Sequence, residues 1–157
     1  MIQTWGIGLE EARARGTDIY RKIGRVPCPF FNNELVSFTS RRFEHILRDK
    51  SRKLRSVSQQ LIRLRLLEHV EDIIKNEDGK VTVELREEYE IERKVNRYGE
   101  KIIEKRKARS WGFLATVDGS EVKVVVGQLE GGKKEFISVM VDDFKIHPGD
   151  QKQKSPT

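Results

Sequence analysis

Three side chains of this sequence carry the makings of metal-free acid–base chemistry: His45, Arg109 and Ser138. A histidine titrates near neutrality and can pass a proton in either direction, which suits a substrate such as RNA whose own 2′-hydroxyl serves as nucleophile. An arginine or lysine would neutralise the charge that builds on a pentacoordinate phosphate, and a serine or threonine would hydrogen-bond its oxygens. His45 lies about 200° around a helix from Phe43 and away from the stripe of Ile46 and Leu47, so it reads as a surface histidine or as a proton carrier rather than a core residue. Its neighbours Arg42 and Arg48 are cationic. Arg109 shares strand parity with Trp111, and the two would clamp a phosphate and stack on a base, or Trp111 would simply fill the core. Ser138, between Phe136 and Met140 on one face, is either a small core residue or a phosphate donor. Lys107, Lys123 and Lys133 are further cations for substrate binding. His69, inside a helix, and His147, before Pro148, read as surface residues.

Other chemistries find little support. No HExxH, cysteine pair or calcium loop is present, and the histidines show no i, i+4 ligand spacing, so no metal or other cofactor is expected. Asp142 and Asp143 are adjacent and, on a strand, would point to opposite sides. Gly131-Gly132 reads as a hairpin turn rather than a phosphate loop. Cys28, flanked by Pro27 and Pro29, is the single cysteine, which excludes an internal disulfide and suggests a reducing compartment.

The elements that must position these residues follow from periodicity. The stretch from Lys107 to Val141 alternates apolar and polar residues in three runs separated by Asp118-Gly119 and Gly131-Gly132, the pattern of an antiparallel meander. Its faces pair Trp111, Phe113, Ala115 and Val117 with Val122, Val124 and Val126, and with Phe136, Ser138 and Met140. Before it, Ser56 caps a helix running to about Lys75 with a broad apolar face, and Thr39 or Ser40 opens a shorter helix through Phe43, Ile46 and Leu47. Leu35 to Phe38 is a short strand. Val81 to Arg109 reads as one bent strand or two short ones, a turn at Asn96 to Gly99, and a return strand, forming a half-exposed ribbon. Leu9 to Arg15 suggests a short helix ended by Gly16, with Ile19 to Ile23 either extended or a second helical turn, followed by an extended connector through Pro27 and Pro29.

The expected fold class is therefore α+β, with N-terminal helices packed on one face of a four- to five-stranded antiparallel sheet. Residues 1–31 read as an N-terminal extension outside the core, 35–146 as the folded domain, and 147–157 as a disordered tail. The chain's 157 residues are enough for one domain. No run approaches the roughly 18 apolar residues of a membrane helix, so no membrane partner is expected.

Charge narrows the partners. The net charge of +6 is unevenly spread. Arg41 to Arg65 holds nine basic residues against Glu44 and Asp49, and Arg93 to Arg109 holds eight against Glu100 and Glu104. Acidic stretches at Glu68 to Asp78 and Glu84 to Glu92 compensate. Segregated basic clusters favour a polyanion such as RNA.

With those residues in hand, the segments FTSRRFEHIL, RKARSWGFLATVD and VKVVVGQLEGGKKEFISVM resemble the phage and mobile-element branch of the barnase, EndoU, colicin and RelE nuclease superfamily over roughly Leu35 to Ile146. The resemblance implies N-terminal helices followed by an antiparallel sheet of about four strands, and a metal-independent endoribonuclease acting as a toxin or effector. It implies that His45 matches the histidine ending the first helix, Arg109 the basic residue entering the central strand beside Trp111, and Ser138 the hydroxyl of the last strand. A toxin of this kind would act in the cytoplasm, its own or a target cell's, and would need an acidic inhibitor or immunity protein. The charged ribbon from Glu84 to Lys107 departs from the simplest members of the superfamily. Two other readings stand beside it: a non-catalytic nucleic-acid-binding module, and a phage or mobile-element accessory protein that contacts other proteins.

Overall fold

The computed structural model describes residues 2–142. The element order is α1 (Leu9–Ile23), β1 (Arg25–Cys28), β2 (Glu34–Ser37), α2 (Ser40–Leu47), α3 (Val57–Lys75), β3 (Thr82–Arg97), β4 (Glu100–Val117), β5 (Ser120–Leu129) and β6 (Lys134–Val141). The fold is α+β, as the sequence pattern requires, but the sheet has six strands, in the order β1-β2-β6-β5-β4-β3. It is also mixed rather than antiparallel throughout, because β2 joins β6 in parallel through Val36↔Lys134 and Ser37↔Glu135. The proposed tail, residues 147–157, lies outside the described residues, as does His147. No described helix is long and apolar enough to cross a membrane.

Helix α3 forms where its cap signal places it, and α2 starts at Ser40 as expected but without a side-chain cap bond from Thr39. Ser56 accepts a hydrogen bond from the Gln59 amide and starts α3, whose Leu64, Leu67, Val70 and Ile74 are buried. Asn76, in the left-handed conformation (φ 47°), ends it. In α1, Glu10 and Glu11 sit in the first turn and Arg21 and Lys22 in the last, each sign favourable to the helix dipole.

Gly16 does not end α1, which continues to Ile23. A Cβ at position 16 would come within 2.5 Å of Leu64 Cδ2, so the glycine is there for the close approach of α1 to α3 rather than for a turn. The segment expected to lie outside the core is part of it: Ala12, Tyr20, Val26 and Cys28 are buried in the same cluster as Leu64, Phe113 and Phe136. Likewise the Pro-Cys-Pro stretch is not merely a connector. Pro27 pairs with Leu35 in β1, an edge strand, where a residue without an N–H is tolerated.

The meander forms with the expected turns, Asp118 (φ 49°) and Gly119 (φ 77°) supplying a left-handed pair between β4 and β5. Trp111, Phe113 and Ala115 stand opposite Val126, Val124 and Val122 on the core face. One register differs from the alternation. A bulge places Phe136 opposite Val126 but Ser138 opposite Val125, with Ile137 as the extra residue. Phe136 therefore faces the core, while Ser138 and Met140 turn to the opposite face instead of sharing its side.

Beyond the last β4–β5 pair, Ala108↔Leu129, β3 and β4 continue as a two-stranded arm of eight paired positions, from Glu90↔Lys107 to Arg97↔Glu100. At the strand rise this is about 27 Å long.

Tyr20 tests whether the N-terminal segment belongs to the core. Its ring lies 5.8 Å from Phe136 and 5.5 Å from Phe38, and its hydroxyl donates to the Thr39 carbonyl at 2.7 Å. Urea unfolding is expected to show Tyr20→Ala less stable by about 3–5 kcal/mol and Tyr20→Phe by about 1 kcal/mol. A Tyr20→Ala midpoint equal to wild type would place the segment outside the cooperative core.

Candidate nucleic-acid interface

The face of the sheet turned away from the core carries a row of small residues. Ala108 and Ser110 on β4 stand beside Gly127 on β5, with Ser110 directly opposite Gly127. A Cβ on Gly127 would meet Ile137 Cδ1 at 2.9 Å, so the bulged isoleucine packs over the glycine. Small side chains here and taller ones around them leave a cleft of about 540 Å³, within the range of a small-molecule or single-nucleotide site.

Its cationic rim is drawn from three parts of the chain: Arg41, Arg42 and Lys50 from α2 and the turn after it, Arg86 from the β3 bulge, and Lys133 from the β5–β6 turn. The Arg109 backbone borders the cleft, but its side chain shares the parity of Trp111 and stands on the opposite face of the sheet. Two acids, Glu87 and Glu135, also line it. Glu135 is held by Arg42 at 3.3 Å and by Arg41 at 3.5 Å. Arg109 pairs with Glu88 at 2.6 Å, and Arg86 with Glu87 at 3.6 Å. Lys50 and Lys133 make no ion pair among the described residues. On the floor, Ser110 is 9% exposed and its Oγ has no hydrogen-bond partner.

Of the residues singled out from sequence, Arg42 and Lys133 line this cleft, whereas Arg109 and Lys107 line a smaller recess with Gln128 on the other face of the strands. His45 and Ser138 are not among its lining residues. His45 is partly buried on α2, one turn beyond Arg41 and Arg42, and its backbone carbonyl accepts from the Arg55 guanidinium at 3.2 Å. Burial, and then the cations Arg42, Arg55 and Arg41, pull its pKa below the usual imidazole value, so the ring is neutral at pH 7. Ser138 is buried on the open face beside Val125.

The others do different work. Trp111 meets Phe31 edge-on at 4.8 Å and lies 5.7 Å from the Lys134 ammonium, in the packed layer rather than open to a base. Lys123 is buried with its ammonium 3.7 Å from Asp142. Arg48 pairs with Glu44 at 3.6 Å and donates to the Arg52 carbonyl.

Arg41, Lys50, Arg86 and Ser110 join the cleft without having been singled out individually. The first two fall in the basic cluster recognised from Arg41 to Arg65. Arg86 depends on a bulge that alternation does not reveal, and Ser110 is visible only as one of three small residues once the register is known. Among the described residues no group of three or more His, Cys, Asp or Glu side chains is arranged to hold a metal ion.

No protein-family model matches the chain, and comparisons with curated proteins and with solved structures give no match.

His45 generates a pH prediction. A depressed folded-state pKa means that the unfolded chain binds the proton more readily, so the neutral ring's contribution to stability is complete above pH 6.5 and is lost as pH falls from 6.5 toward the folded value. The urea midpoint should drop between pH 6.5 and 5, and His45→Gln should flatten that drop. An NMR titration placing the His45 pKa at or above 6.5 would contradict the electrostatics.

Proposed function

We propose that the open face of the sheet binds RNA, with the phosphate backbone running along the basic rim and a nucleotide seated in the cleft. The observation that carries this reading is the convergence of Arg41, Arg42, Lys50, Arg86 and Lys133 on one concavity lined by two acids, Glu87 and Glu135. Side chains from separate elements make that convergence a property of the fold rather than of one charged helix. Ser110 places a hydroxyl beneath the rim, and Tyr89 and Ile91, which also line the cleft, offer an aromatic face and an apolar wall to a base. The resemblance of the three sequence segments to the ribonuclease superfamily favours RNA over DNA.

A second reading, cleavage of the bound RNA, rests on His45, which lies outside the cleft lining but one helical turn from its rim. Arg41 and Arg42 at the rim are four and three residues before it, on the same side of α2. A neutral imidazole there is able to take the 2′-hydroxyl proton as that oxygen attacks the adjacent phosphorus. The P–O5′ bond breaks, O5′ leaves with a proton from a general acid, and a 2′,3′-cyclic phosphate remains. Arg42 would offset the charge on the phosphorane, and no metal takes part in these steps. As a toxin or effector, such an enzyme would pair with an acidic inhibitor.

Fluorescence anisotropy with a short single-stranded RNA tests the binding reading. Affinity should fall with salt, and Lys50→Gln with Lys133→Gln should lower the log–log salt slope by about 1.4. Affinity that is indifferent to salt overturns it. For cleavage, incubation in excess EDTA should yield cyclic-phosphate ends that disappear in His45→Ala; intact RNA under conditions where it is bound leaves the protein a binding module.

A further inference from the structure

Apart from the Glu130 amide bonded to the Lys107 carbonyl at its base, the β3–β4 arm pairs with no further strand, although an isolated two-stranded ribbon is marginal in water. It nevertheless leaves Tyr89, Ile91, Ile102 and Ile103 exposed, and at its tip Tyr98 is fully so. Tyr98 also occupies the left-handed region (φ 56°) ahead of Gly99 (φ 77°), a turn position where asparagine, aspartate or glycine is the unstrained choice.

Charge says what this arm is shaped to meet. From Glu90 to Lys107 it carries seven cations against Glu90, Glu92, Glu100 and Glu104. Register distributes them on both faces. Arg93, Arg97 and Arg106 project on the cleft side with Tyr89 and Ala108, while Lys94, Lys101, Lys105 and Lys107 project on the other. Glu104 is engaged with Arg106 and with Arg97, and Lys105 lies near Glu90 and Glu92. Arg93, Lys94, Lys101 and Lys107 make no ion pair among the described residues.

A flat anionic surface such as a membrane would call for an apolar face on one side and cations on the other. Cations on both faces of a thin ribbon instead match two facing walls of phosphate. A groove of a double helix has such walls, and the major groove of B-form DNA is wide enough for a two-stranded β-ribbon.

We propose that the arm is a second nucleic-acid contact which lies in a groove of a double helix, with phosphates on both sides of the ribbon and Tyr98 at its leading end. This extends, and rests on, the reading of the cleft as a nucleic-acid site, with the cleft taking a single strand and the arm a duplex. The phosphate-walled groove is shared by DNA and RNA duplexes, and the width of the B-form major groove points to DNA as the better fit for the arm.

The test uses the full chain and three probes: a single-stranded RNA octamer, and 20-base-pair DNA and RNA duplexes of one sequence. Two variants neutralise one face each, Arg93→Gln with Arg97→Gln and Lys94→Gln with Lys101→Gln. A third shortens the arm by joining Ile91 to Arg106 through Asn-Gly, and circular dichroism confirms that each remains folded. The expected result is duplex binding whose log–log salt slope falls by about 2 in each face variant, with at least a tenfold loss in the shortened protein and unchanged affinity for the octamer. A stronger DNA than RNA signal assigns the arm to a B-form groove, and the reverse to an A-form one.

Duplex binding unchanged by shortening overturns the proposal, as does loss confined to one face, which would indicate a flat contact. Failure to bind duplex at all also overturns it, whether or not the octamer binds. Octamer binding that fails while arm-dependent duplex binding persists overturns the cleft assignment and leaves the arm standing.

Discussion

Phe136 stacked on Phe38, with ring centroids 4.9 Å apart and 15° between planes, is the contact on which the rest of this fold depends. Phe38 follows β2, and Phe136 is the last core-facing residue before the bulge in β6. The two strands they come from share only two rungs of parallel pairing, too little to join the N-terminal hairpin to the meander without side-chain packing. Tyr20 from α1 packs against both rings and against Phe43 of α2 at 5.1 Å. Burial raises the Tyr20 pKa and so keeps its hydroxyl protonated as a donor. One aromatic cluster thus fixes two helices and two strands, and in doing so sets α2 where Arg41 and Arg42 can reach Glu135 at the edge of the cleft. Lys134 reinforces the same junction, its ammonium bonded to Glu34 at 2.8 Å and lying 4.6 Å from the Phe31 ring.

Much of this architecture is legible in the chain because its signals are local. Ser56 marks the start of α3, Asp118-Gly119 marks a hairpin, and alternation from Trp111 to Val126 assigns the core face without reference to anything distant. What escapes is decided by contacts far apart in sequence. Gly16 looks like a stop signal because glycine commonly follows a helix, yet its role is set by Leu64, 48 positions away. The parallel β2–β6 pairing has no local signature at all. A single extra residue at Ile137 reverses the face of Ser138, since strand periodicity is two and one insertion inverts it.

The candidate site divides along the same line. Basic clusters are visible as composition, so Arg42 and Lys133 are legible in the chain, whereas Arg109 turns to Glu88 on the other face. Which cations converge is a tertiary property: Arg48 turns to Glu44 and Arg52, Lys123 is drawn in beside Asp142, and Arg86 arrives through a bulge. Trp111 illustrates the complementary case, an aromatic whose strand parity with Arg109 suggested stacking on a base and which instead packs on Phe31.

The two ends of the sheet are guarded against lateral growth by different means. At one, β1 is four residues long and contains Pro27, which removes an N–H from an already short edge. At the other, β3 is a 16-residue edge strand, long enough to template further pairing, but Arg86 interrupts its register and Glu84, Glu87, Glu88, Glu90 and Glu92 crowd one half of it. Two copies meeting antiparallel along that half would set carboxylates against carboxylates. The acidic half of the ribbon, silent in a list of phosphate-binding groups, therefore has a colloidal role: it lets a long bare strand stay exposed without recruiting its own kind.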